Sequence, residues 1–261
     1  MRCRFGWLFF LSLLFILSSV ATAGADNKEE SDIHGEPTWG IGVTVRTGLI
    51  PFVTEEHTVS SFVPMMFYDG ERFFLDGLEG GVKLFNGESF KVDLLGRLRF
   101  FDIPKIYQND IQEDTLDLGL RLKYFITDGL ETSLELMSDD YGRTHGNFRI
   151  RYHAQSGNFE FWPFLNFRRV DSDFNSYYYG LGLSDVDAGN EFSMGLSGRY
   201  HLWKNLYAIG EIQATRLSEE ATELSYISQR NVAEAYLGIA FFNDPGKEKK
   251  QELSIRTYVR V

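Results

Sequence analysis

Five histidines, His34, His57, His145, His153 and His201, are the side chains best suited to proton transfer or metal binding. None stands in a His-x-x-x-His or Glu-x-x-His spacing, so no local pattern signals a metal site. One loop gathers Ser138, Asp139, Asp140 and His145, the residue types of a nucleophile, an orienting acid and a base that a lipid hydrolase would need. Polar residues of this kind also make up ordinary turns, and that is the preferred reading. The chain therefore points to no catalytic residue, no metal and no cofactor.

A second set is larger and periodic. Arg97, Arg99, Arg121, Lys123, Arg149, Arg151, Arg168 and Arg199 recur on one face of successive segments whose other face is apolar. Asp93, Asp117, Glu131, Glu135, Glu160 and Glu211 share those faces. Such a ladder could select small charged solutes in a pore. Alternatively the charges pair across a narrow enclosed space and stiffen it, and this is the reading we prefer.

The elements that must position these charges are strands. From Leu116 the even positions run Leu116, Leu118, Leu120, Leu122, Tyr124, Ile126, and the odd ones Asp117, Gly119, Arg121, Lys123, Phe125. After Thr127-Asp128-Gly129 the alternation resumes, with Leu130, Thr132, Leu134 and Leu136 against Glu131, Ser133 and Glu135. Period two over this length specifies a hairpin, since no helix sorts these residues onto two faces. A strand with charges on one side and only apolar residues on the other suits a wall between hydrocarbon and a polar interior.

The same pattern recurs along the chain. Trp39–Thr47, Phe90–Phe101, Asn147–His153, Phe159–Arg168, Phe192–Leu202, Leu206–Ala214, Ala233–Phe241 and Leu253–Val261 read as strands. Asp69-Gly70 and Asn86-Gly87 are type I′ hairpin signals between shorter runs. Pro163 would cost a ladder hydrogen bond, which predicts a bulge there. Asp102–Glu113, with Pro104, has the length of an external barrel loop. The pieces around Leu75–Phe85 and Tyr177–Leu183 leave the count between 12 and 14 strands, and pairing every edge requires an even number, for which we expect 12. Trp39, Tyr68, Tyr124, Tyr177, Tyr179, Tyr200, Trp203 and Tyr207 fall near strand ends and suggest interfacial belts, with Trp162 the poor fit on the polar face.

The totals narrow the class. A net charge of -11 argues against a nucleic-acid partner. Arg2 and Arg4, the apolar run Trp7–Leu17, and Ala21-Thr22-Ala23 or Ala23-Gly24-Ala25 compose a secretory signal over residues 1–25, followed by a polar, flexible segment over 26–38. The single cysteine, Cys3, lies before the apolar run, leaving the exported chain without a disulfide or thiolate. No later segment offers the roughly 20 apolar residues of a spanning helix. A soluble β-sandwich and an outer-membrane β-barrel remain, and strands of about 9–12 residues favour the closed antiparallel transmembrane barrel, occupying residues 39–261.

The run Phe62-Val63-Pro64-Met65-Met66-Phe67-Tyr68-Asp69-Gly70-Glu71-Arg72-Phe73-Phe74, then Gly80-Gly81-Val82-Lys83-Leu84-Phe85, Tyr177-Tyr178-Tyr179-Gly180 and Tyr200-His201-Leu202-Trp203, resembles the MltA-interacting/OmpV family of Gram-negative outer-membrane proteins. The resemblance implies a non-enzymatic barrel in contact with outer-membrane lipid and lipopolysaccharide. It also implies a scaffold between a lytic transglycosylase and a murein synthase. It supplies no catalytic residues to transfer. The chain departs from the usual barrel ending, an aromatic residue, in closing on Val261. Either the last strand is atypical or a further segment completes the barrel.

Overall fold

The computed structural model describes residues 38–55, 57–103 and 114–243. The expected signal, most of the N-terminal segment, the Pro104 connection and the Leu253–Val261 strand lie outside the described residues.

Strands β1 (Thr38–Leu49) and β2 (Thr58–Asp69) lead into the short hairpin β3 (Phe73–Gly77) and β4 (Glu79–Asn86). Next come β5 (Phe90–Arg99), β6 (Thr115–Phe125), β7 (Leu130–Ser138), β8 (Thr144–Tyr152), β9 (Ala154–Ser156) and β10 (Phe159–Val170). Helix α1 (Ser172–Tyr178) precedes β11 (Gly189–Trp203) and β12 (Leu206–Arg216), and α2 (Glu219–Thr222) precedes β13 (Asn231–Asn243). All neighbours pair antiparallel in one 13-stranded sheet. β13 returns to β1 in continuous register from Trp39↔Asn243 to Gly48↔Glu234, so the sheet closes on itself. β8 and β9 are two parts of one stave against β10, which leaves a closed barrel of 12 strands.

The period-two pattern decides which way each side chain points. On the β6–β7 hairpin Leu118 is 58% exposed and Leu134 49%, whereas Arg121 is 5% exposed and Asp117 wholly buried. The exposed apolar side chains continue around the ring through Ile41, Phe62, Leu98, Phe148, Leu165, Met194, Ile212 and Leu237. A water-soluble fold would hide this band. A closed ring with an oily exterior satisfies every ladder internally and meets lipid. Trp39, Tyr124, Tyr200 and Trp203 stand outward at the end with the short turns, as an interfacial belt requires. Tyr179 and Tyr207 do not belong to that belt, because both are buried inside, and Trp162 turns inward against His153.

Several local expectations are corrected. Neither Asp69-Gly70 nor Asn86-Gly87 forms a type I′ turn, which needs two residues with positive φ, and none of these four has one. Instead Gly70 N–H donates to the Phe73 carbonyl and Gly87 N–H to the Phe90 carbonyl, closing longer turns. No bulge forms at Pro163. β10 keeps unbroken register with β11 through Pro163↔Leu196, and the ladder to β8 and β9 lapses only beside Trp162 and Pro163, where the missing N–H falls. The Tyr177–Leu183 piece is no strand, because α1 begins at Ser172 with Asp171 as its N-cap, its carboxylate accepting from Phe174 N–H at 2.7 Å.

The two ends of the barrel differ. Turns between β2 and β3, β4 and β5, β6 and β7, and β11 and β12 are short and lie at the end where β1 starts and β13 stops. At the other end the longer connections fold over the mouth. Val170, Phe174, Tyr178, Tyr179, Leu217 and Ala221 form one buried cluster, and Ile50, Phe52, Ile103 and Leu181 a second, with Phe101, Tyr177 and Ile227 packed against both. These residues come from connections on different sides of the ring, and they can meet only by crossing the opening.

Candidate functional site

The barrel encloses a cavity of about 640 Å³ lined by charged side chains. Its walls include Arg97, Arg99, Asp117, Arg121, Lys123 and Glu131, and further round Glu135, Arg149, Arg151, Arg168, Arg199 and Glu211. Asp93 and Glu160, the other two residues singled out from sequence, stand behind this lining as partners of Arg121 and Arg199, at 3.2 and 2.9 Å.

Most of these charges are assembled into networks. In the first, Arg97 forks between Glu79 at 2.8 Å and Glu135 at 2.9 Å, Arg121 joins the same two carboxylates and Asp93, and Asn147 donates to Glu135 at 3.0 Å. Strands β4 to β8 thus contribute to one cluster, because a charge at every second residue on each strand falls on the inner face. In the second, Arg99 grips Asp117 through Nε at 2.8 Å and Nη2 at 3.1 Å. It also donates to the Tyr178 hydroxyl, which donates in turn to Asp139, itself paired with Arg143 at 2.6 Å. The guanidinium of Arg99 lies over the rings of Phe174 and Tyr178, 4.7 and 4.4 Å from their centres. This network fastens the loop cap to the barrel wall. In the third, Arg46 holds Asp102 in a two-pronged contact of 2.9 and 2.6 Å and also pairs with Glu234.

Alternation within single strands did not identify Arg46, Glu79, Asp102, Asp139, Arg143, Glu191 and Glu234 as members of these networks. Arg46 is the one charged residue of β1. Glu79 lies in the short β3–β4 hairpin whose parity could not be read. Asp102 and Asp139 lie just beyond strand ends, where no period applies. Arg168 bridges to Glu191 at 3.6 Å, and Arg151 faces Glu131 at 3.8 Å.

The loop that suggested hydrolysis does not assemble a catalytic group. In the β7–β8 register Ser138 is opposite Thr144 and Met137 opposite His145. Met137 and His145 are buried inside, so Ser138, one residue on, belongs to the outward face. Nucleophile and base are thus on opposite sides of the wall. Ser138 Oγ donates to the Asp139 carbonyl, and Asp139 is occupied by Arg143, Tyr178 and two backbone N–H groups. His145 packs edge-on against Phe174, 3.8 Å from Asp117. His153 stacks on Trp162, and His201 bonds the Lys204 carbonyl in a turn. Among the described residues no three His, Cys, Asp or Glu side chains converge on a point where a metal would sit.

Two curated relatives, the MltA-interacting proteins of Escherichia coli K12 and Shigella flexneri, are each 23% identical over 212 residues, covering 73% of this chain and 84% of theirs. The translocator domain of the autotransporter NalP from Neisseria meningitidis aligns over 90% of this chain and 96% of its own at 9% identity, TM-score 0.43. An anion-selective porin from Comamonas acidovorans aligns over 79% and 98% at 7% identity, TM-score 0.41. The closed antiparallel ring with its apolar exterior is an outer-membrane barrel. A profile of the MltA-interacting protein MipA family matches residues 40–242, and the chain belongs to that family.

Proposed function

We propose that this barrel is a non-enzymatic docking scaffold of the outer membrane that binds a murein-remodelling enzyme, such as a lytic transglycosylase or a murein synthase. The observation that carries the reading is that its relatives are named for interaction with MltA over an alignment spanning most of both chains. The capped lumen supports it. Cross-strand ion pairs and a loop cap make a rigid body, which suits presenting a surface better than passing solute. The docking surface we propose is the end that carries the short turns, including Gly70–Arg72 and Thr127–Gly129, since that end faces the periplasm in barrels of this class. We also propose that residues 1–25 are the export signal that brings the chain there.

The test is capture of a purified lytic transglycosylase and a purified murein synthase by the detergent-solubilised barrel. We expect association at micromolar protein with at least one of them, and weakening when the short turns are replaced by unrelated sequences. Absence of association with both at that concentration would overturn the scaffold.

A further inference from the structure

The cavity contains charges that make no close ion pair with any other described residue. Among the charged residues lining it, all but four have an oppositely charged atom within 4.0 Å. The four are Asp76 on β3, Lys123 on β6, Arg149 on β8 and Glu211 on β12, and among the described residues none of them has a hydrogen bond or ion pair.

Their placement is ordered by sign. Around the ring β6 and β8 are two staves apart and hold the cations. β12 and β3 lie on the other half of the ring, on either side of the β13–β1 seam, and hold the carboxylates. Each points inward by the parity of its strand: Phe73, Leu75, Leu122, Tyr124, Phe148, Ile150 and Ile212 flank them and are exposed outside. The four sit within one electrostatic neighbourhood, Glu211 sensing Arg149 and Asp76, and Asp76 sensing Lys123. Aromatic faces complete the space, with Arg149 over Phe164 at 4.9 Å and Arg151 over Trp162 at 5.2 Å.

Charges that line a cavity without a near partner are open to a solute, and a simple anion or cation could relieve only one of these walls. A solute bearing both an ammonium and a carboxylate relieves both together. The volume of about 640 Å³ is that of a small-molecule site. We propose that the lumen binds a small zwitterionic solute of the amino-acid or short-peptide type. Its carboxylate lies toward Arg149 and Lys123 and its ammonium toward Glu211 and Asp76. This inference is independent of the docking role, which uses the short turns at the barrel's periplasmic end.

The experiment is calorimetric titration of the detergent-purified full chain with glycylglycine, set against acetate and ethylammonium at equal ionic strength. We expect glycylglycine to bind about tenfold more tightly than either single-charge probe, the difference reflecting the second charge contact. Arg149→Gln and Glu211→Gln should each weaken glycylglycine by about fivefold or more while leaving the sheet circular dichroism unchanged. Asp76→Asn reads the same carboxylate wall should Glu211→Gln not fold. Absence of binding by glycylglycine overturns the proposal. So does acetate or ethylammonium binding as tightly as glycylglycine, or undiminished affinity in the folded variants of both walls.

Discussion

Arg99 shows how a charged side chain can be fully enclosed and still be stabilising in place. Its two hydrogen bonds to Asp117, its donation to Tyr178 and the two aromatic faces beside it replace most of the water it has lost, Nη1 alone making no hydrogen bond among the described residues. Removing one partner leaves the other charge buried alone, which typically costs about 3–5 kcal/mol. Arg99→Ala should therefore lower unfolding stability by that amount in micelles. The double variant Arg99→Met, Asp117→Leu should lose clearly less, and equal losses in the two would show that the pair is not the cause. Tyr179 offers a second test in the loop cap. Burial, and then the Glu191 carboxylate 2.6 Å from its hydroxyl, hold its phenol well above the ordinary tyrosine range. The folded protein thus keeps this proton more tightly than the unfolded chain. Stability from this group is intact below about pH 10 and falls as pH rises beyond it. Tyr179→Phe should flatten that alkaline loss in urea unfolding, and an unchanged slope would contradict the assignment.

At the level of elements, the seam between β13 and β1 is where the barrel is made or lost. Gly238 faces inward there, paired with Thr44 on one side and Ile209 on the other. A Cβ on Gly238 would meet the Val43 carbonyl oxygen at 2.0 Å and Thr44 Cα at 2.6 Å, both backbone atoms that cannot step aside. Gly238→Val should prevent closure, read as loss of the compact, heat-sensitive electrophoretic form that folded barrels show. A variant that still closes would mean the seam can open locally without cost. The β3–β4 hairpin and α1 make a different point. The short hairpin offers too few residues for its alternation to be read, and the tyrosine run that ends α1 resembles a strand because the helix is set by a cap, Asp171, and by burial of Phe174 and Tyr178.

For the whole molecule, an enclosed charged lumen and an open pore are separate matters. Loops from several sides of the ring meet above the mouth, and Arg99, Tyr178, Asp139 and Arg143 fasten them to the wall. Single barrels in planar bilayers should accordingly give no stable conductance steps. Steady currents from the intact chain would mean the cap opens, while currents only after Tyr178→Ala would identify the hydroxyl contacts as the latch.

The sequence by itself determined the wall. Side chains alternate strictly along a strand, so a polar-apolar period declares both faces, and the Leu116–Leu136 hairpin revealed its orientation before any coordinates. It also placed on one face many of the charges that line the cavity, Arg97, Arg121, Glu135 and Arg149 among them. Only the tertiary structure decided which charge meets which. Partners such as Arg46 and Glu234, or Arg99 and Tyr178, are separated by 188 and 79 residues and belong to strands or loops brought together by closure. It likewise decided that Ser138 and His145, near in sequence, point to opposite sides, because one residue of register along a strand exchanges inside for outside.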